Sequence, residues 1–166
     1  NAYQTIDAAK ARLRSGFADW MLLKRGDEFT LTSHFDPPAG RGLFDRTVVS
    51  AYGTGDRPHI NPPIDRSLRI WGSVQNIAVK GIKIYPTYRD PDHVDFAGWG
   101  NTNGGDLIRF FDTAGLIQSV LIEDCWVEYG EKGIAVGGSD NGGLIIRRNI
   151  IMNSYSEDAH AQGIFA

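Results

Sequence analysis

The chain has 166 residues, 42% hydrophobic and 22% charged, with a net charge of −3 at pH 7, which fits one globular domain over 1–166. The negative balance disfavours duplex nucleic acid as a partner, no apolar run reaches the roughly 20 residues of a membrane-spanning helix, and the single cysteine, Cys125, excludes an internal disulfide. Twenty glycines and seven prolines require many turns.

In chain order, TIDAAKARLR (Thr5–Arg14) predicts a short helix over 5–15, with Thr5 as N-cap, Ile6, Ala9 and Leu13 on one face and Gly16 as terminator. DWMLLKRGDEFTL then predicts a buried strand and a glycine turn. From residue 47 only strand signals remain. Ile77–Ile84, Val120–Val127 and Leu144–Ile151 superimpose without gaps, with apolar residues at the first, third and eighth positions and Ile82, Cys125 and Asn149 at the sixth. A second family precedes them: Ser67–Trp71, Asp106–Phe111, Gly133–Gly137, and a last copy at Gly163–Ala166. Short strands repeating every 20–30 residues or so predict a solenoid of stacked parallel strands running from residue 20 to 166. A helical solenoid needs apolar spacings of 3 and 4, which are lacking.

Stacked coils place aligned residues about 4.8 Å apart. The outward column Lys80, Glu123, Arg147 then alternates in sign, which stabilises neighbouring strands. Cys125 reads as a small buried hydrophobe rather than a reactive thiol. Asn149 is placed to bond corner backbone groups. In the second family, period-2 alternation points Leu68, Ile70, Ile108, Phe110, Ile134, Val136 and Ile164 inward. One outward column is then Arg69, Arg109, Ala135, Phe165, and the next is Trp71, Phe111, Gly137.

This pattern resembles the right-handed parallel β-helix of the pectate-lyase-like superfamily. TIDAAKARLRSGFADWMLLKRGDEFT, followed by VVSAYGTGDRPHI, is similar to the opening segment of secreted bacterial β-helix proteins, where a capping helix and first strands lead into the coils. The resemblance implies an all-β, right-handed, single-stranded parallel β-helix with a short N-terminal capping helix. It is specific for fold and weak for activity, because the superfamily hosts lyases, hydrolases, epimerases, phage tailspikes and adhesins. It implies a secreted, extracellular or periplasmic location. The chain starts at Asn1 rather than methionine and stops within GIFA. The expectation is therefore a fragment, open at its C-terminal coil, whose edge at Gly163–Ala166 favours self-association.

Three regions are candidates for chemistry. Arginines recognise carboxylates and sulfates, and flat aromatics carry sugar rings, so Arg69, Arg109, Trp71 and Phe111 are candidates to bind an acidic polysaccharide. The alternative is that Glu131 or Asp106 neutralises the arginines. The long segment Tyr85–Asp106 holds Trp99, a further substrate-binding candidate, and the acids Asp90, Asp92 and Asp95 beside His93. These are either solvated turn residues or ligands for Ca2+, which takes several carboxylate oxygens. In SEDAHAQG (Ser156–Gly163), His160 and Gln162 either satisfy loop backbone or serve substrate. The superfamily's lyases take a proton from the carbon next to a uronate carboxyl, using an Arg, Lys or His base while an arginine or cation neutralises the carboxylate. Carried over, that implies Lys132, His160 and Arg109 as catalytic candidates and Gln162 as a substrate contact. A Glu157–Asp158 hydrolase pair is disfavoured, because adjacent residues rarely hold carboxyls at the required separation. No complete family catalytic motif is matched. The other expectations are a non-catalytic glycan-binding or adhesion β-helix, or a tailspike-like trimer. Phosphate-loop, GxSxG, HExxH and CxxC motifs are absent.

Overall fold

The structure, a computed structural model, describes residues 2–62, 67–100, 105–111, 116–137, 140–157 and 160–165. Helix α1 spans Ile6–Lys10, capped by the Thr5 hydroxyl, which accepts from the Ala8 amide at 3.2 Å. It is shorter than the expected 5–15. Beyond Lys10 the backbone tightens into three-residue turns, with Arg12 N–H donating to the Ala9 carbonyl and Leu13 N–H to Lys10. Ile6 carries the buried face, at 2% exposure.

Fourteen described strands follow: β1 Trp20–Lys24, β2 Glu28–Thr30, β3 Thr47–Tyr52, β4 His59–Asn61, β5 Leu68–Trp71, β6 Val74–Lys80, β7 Lys83–Ile84, β8 Asp106–Phe111, β9 Leu116–Glu123, β10 Trp126–Glu128, β11 Lys132–Gly137, β12 Asp140–Arg147, β13 Ile150–Met152 and β14 Gln162–Phe165. They form three sheets, ordered β1-β3-β6-β9-β12, β13-β10-β7-β4-β2 and β14-β11-β8-β5. Every strand pair within them is parallel. From β5 onward the chain visits the sheets in strict rotation: third, first, second, and again. They are the first, second and third sheet in that order.

The predicted register is observed. Val120 pairs with both Ile77 and Leu144, and Glu123 with both Lys80 and Arg147. Inward residues stack on like residues. Val49, Val79 and Ile122 form one ladder, Ile60, Ile84 and Val127 another, and Leu68, Ile108 and Ile134 a third, all at most 1% exposed. Each such side chain contributes roughly 1.5–3 kcal/mol on burial. These ladders, continuous over three sheets, are the core.

β1 differs from the expected buried strand. Met21 and Leu23 point in, at 4% each, whereas Trp20 is 67% exposed. It is an edge strand with one face outward, so its apolar run is split between core and surface.

A two-residue corner joins the first sheet to the second in three successive passes: Gly81-Ile82, Asp124-Cys125 and Arg148-Asn149. The first residue of each corner is left-handed, with φ of 67°, 54° and 57°. This conformation reverses direction sharply and costs a non-glycine residue strain. The second residue then faces inward. Ile82 and Cys125 are fully buried, and Asn149 accepts from Cys125 N–H at 2.9 Å and donates to the Ile122 carbonyl at 3.0 Å. Burial pushes the Cys125 thiol up to about 11, as expected of an inert buried thiol. Among the described residues no helix is long and apolar enough to cross a membrane.

Candidate functional site

The outer face of the third sheet carries the columns predicted from alternation. Arg69 pairs with Arg109, Arg109 with Ala135, and Ala135 with Phe165. Three residues earlier along the strands, Lys132 pairs with Asp106 on one side and Gln162 on the other. Trp71 and Gly137 both pair with Phe111. The side chains of Trp71 and Phe111 lie outside the described set.

Within these columns the charges form a chain. Arg109 Nη1 donates to Asp106 Oδ2 at 2.5 Å, Lys132 Nζ is 3.4 Å from Asp106 Oδ1, and it donates to Glu131 Oε1 at 3.1 Å. Asp106 is 3% exposed. A buried carboxylate that accepts from one cation and faces a second is held in one geometry. The acid pairing weighed against a glycan role is therefore present for Arg109 and Lys132. Arg69 differs in its charge balance: among the described residues it has no ion-pair partner, while its Nε, like that of Arg109, is buried without a hydrogen-bond acceptor. Small residues follow along the sheet. Ala135 and Gly137 add no bulk in the columns of Arg109 and Phe111, and the Phe165 ring, 42% exposed, lies 5.7 Å from Lys132 Nζ.

The other candidates separate. Lys132 and Arg109 meet on Asp106, but His160 is exposed, two positions before Gln162, and no described hydrogen bond or ion pair joins it to them. Gln162 is held by its backbone, with N–H donating to the Glu131 carbonyl at 3.0 Å. Trp99 packs edge-on against Phe96 at 5.4 Å and Tyr155 at 5.1 Å, while remaining 55% exposed. Asp158 lies outside the described residues.

Asp90, Asp92 and Asp95 are not gathered as three ligands, and no group of three His, Cys, Asp or Glu side chains able to hold a metal occurs among the described residues. Asp90 is already engaged: it accepts from the Tyr85 hydroxyl and, at 2.9 Å, from the Asp92 amide. The first bond holds its carboxyl below the usual range. Asp95 instead sits beside His93, Oδ2 to Nδ1 at 3.6 Å.

Sequence reasoning missed what anchors this segment. Arg89 is 2% exposed, lies 3.9 Å over the Tyr155 ring, and donates to the backbone carbonyls of Tyr129 and Tyr155. Tyr85 and Tyr129 both bond Asp90, and burial, reinforced by that bond, raises both phenols, Tyr129 to about 12. The density of tyrosine around the segment was the available signal. Comparison with protein-family models, with curated proteins and with solved structures returns no match.

Proposed function

We propose that the three parallel sheets are the faces of a right-handed parallel β-helix of the pectate-lyase-like kind, and that the third face binds an acidic extracellular polysaccharide. The strict rotation of the chain through the sheets supports the first part, since parallel crossovers are right-handed in almost every case. The second part rests on one observation: Arg69 stacks in register on Arg109, and Asp106 compensates only the latter. An uncompensated guanidinium beside a compensated one favours a carboxylate or sulfate from outside. The protein then works where such polymers occur, outside the cytoplasm.

The test is binding of alginate, pectate and glycosaminoglycans against a neutral glucan. Arg69→Ala is expected to weaken acidic-polymer binding about tenfold or more, the loss of one charge-assisted contact. Equal binding of the neutral polymer, or an unchanged Arg69→Ala variant, overturns the proposal.

A second reading, lyase activity, is favoured by Lys132 and Arg109 sharing Asp106, which holds a base candidate and a carboxylate-neutralising candidate side by side. For Lys132 to act as a base, substrate must draw it away from Asp106 and Glu131. The ultraviolet absorbance of unsaturated uronate products, abolished by Lys132→Ala, is the expected signature. Binding without turnover identifies a glycan-binding module instead.

A further inference from the structure

Apart from the third sheet, the corner where the first sheet turns into the second gathers cations beyond what its carboxylates balance. Glu123, 1% exposed, faces three of them: Lys80 Nζ at 3.2 Å from Oε2, Arg147 Nε at 2.8 Å from Oε1, and Arg148 Nη2 on the same Oε1. Asp124, one residue on, takes Arg57 at 2.6 Å. Arg25 reaches the same corner from an earlier pass of the chain, where it donates to the Gly55 carbonyl at 3.3 Å, and among the described residues no carboxylate pairs with it. Five cations thus meet two carboxylates in a chain whose net charge is −3.

These groups enclose a cleft. Arg25, Lys80, Glu123, Asp124 and Arg148 line about 450 Å³ above Gly81 and Ala51. Gly81 forms the floor. A Cβ built there would lie 3.6 Å from Arg25 Nη2 and 3.8 Å from Asp124 Oδ2, so its absence leaves open space between them. Its φ of 67° makes glycine the natural occupant. The cation heads remain hydrated at the rim, with Lys80, Arg147 and Arg148 side chains 44%, 55% and 69% exposed. One buried carboxylate therefore positions three cations without balancing them, and Arg25 adds a guanidinium fork from the other wall.

We infer that this corner cleft is a binding site for a tetrahedral oxyanion, a sulfate or phosphate group, held by Arg25, Lys80 and Arg148. Guanidinium forks match two oxygens of such a group, and a dianion offsets the excess charge that Glu123 alone leaves. The site is independent of the third-sheet face.

The test is calorimetric titration of inorganic sulfate and inorganic phosphate at constant ionic strength, with chloride as reference. Sulfate stabilises proteins generally through exclusion from their surfaces, so variants decide. Arg148→Ala and Arg25→Gln are each expected to weaken binding about tenfold or more. Arg69→Ala is expected to keep the binding component that those two variants weaken, which separates this site from the polysaccharide face. Circular dichroism verifies folding, and the two variants lie in different passes of the chain, so one unfolded variant leaves the other decisive. A sulfated disaccharide that binds more tightly than inorganic sulfate, and fails in the same variants, identifies a pendant ester as the source. Equal affinity identifies the free anion, and both uphold the site. No saturable binding by the wild type, or equal affinities in wild type, Arg148→Ala and Arg25→Gln, overturns it.

Discussion

Cys125 and Asn149 lock two successive corners together: the Asn149 amide accepts from Cys125 N–H and donates to the Ile122 carbonyl, so one side chain satisfies a buried donor and a buried acceptor of the neighbouring pass of the chain. Cys125 itself is fully buried. Replacing Asn149 by leucine keeps volume and apolar contact but strands both backbone groups, at about 1–3 kcal/mol each where water cannot reach them. Asn149→Leu is expected to lose about 2–4 kcal/mol in urea unfolding, after allowing for its new apolar contacts. A loss below about 0.5 kcal/mol would mean that solvent reaches the corner.

That corner was legible in the sequence because strand alternation and equal spacing between copies leave little freedom. Once Val120 is set against Leu144, Glu123 against Arg147, Asp124 against Arg148 and Cys125 against Asn149 follow arithmetically. The same logic placed Arg69 on Arg109. What escaped lies where no period operates. The partners of Arg89 are Tyr129 and Tyr155, 40 and 66 residues away, and Arg89 itself lies in a segment with no strand repeat. The density of aspartate at 90–95 signalled a turn but not where the carboxylates point, and Asp90 points at Tyr85. The pairing of Lys132 with Asp106 was within reach, since the two share a register position, but which acid would win required geometry.

Glu123 offers a sharper test of the charge ladder. Its three cations are each roughly half exposed, so they rehydrate when the carboxylate is removed. The usual 3–5 kcal/mol for breaking a buried pair therefore overstates the loss. Glu123→Gln is expected to cost about 1–3 kcal/mol. Lys80→Ala and Arg147→Ala are expected to cost under about 1 kcal/mol each, because two cations remain on the carboxylate in either case. Equilibrium unfolding of the three variants checks this order. Single cation deletions as costly as Glu123→Gln would contradict it.

Arg89 is expected to control the integrity of the 85–105 segment. Its guanidinium fork bridges two backbone carbonyls while stacking on Tyr155, and the Tyr155 hydroxyl returns a bond of 3.0 Å to the Arg89 carbonyl. Lysine has one ammonium and no planar face, so it cannot reproduce both bonds and the stack. Arg89→Lys is expected to rescue little of the roughly 3–5 kcal/mol lost in Arg89→Ala, the cost of breaking a buried charge-assisted network. Limited proteolysis is expected to cleave both variants first within 85–105. Full resistance of Arg89→Lys would show that charge alone suffices.

Stability is expected to be flat from about pH 4 to about pH 9 and to fall on both sides. On the alkaline side, burial and the bond to Asp90 raise Tyr129 to about 12 and Tyr85 as well, while burial above all raises Cys125 to about 11. A raised folded value means that the unfolded chain releases its proton first. The stabilisation is whole below the ordinary thiol and phenol values and drains away as pH climbs through the raised ones. On the acid side the sign reverses. The Tyr85 hydroxyl lowers Asp90, so its contribution is whole above about pH 4 and is lost as pH falls through the depressed value. Urea midpoints measured across this range should therefore shift in Tyr129→Phe mainly on the alkaline limb, since its bond is a smaller cause of the lowered Asp90 than that of Tyr85. Tyr85→Phe should change both limbs, since it removes one raised phenol and the donor that lowers Asp90. Asp90→Asn should erase its part of the acid limb and shrink the alkaline one without abolishing it, because burial is the larger cause of the raised phenols. A midpoint that stays constant up to pH 12 in the wild type would show that the two tyrosines are solvated in solution.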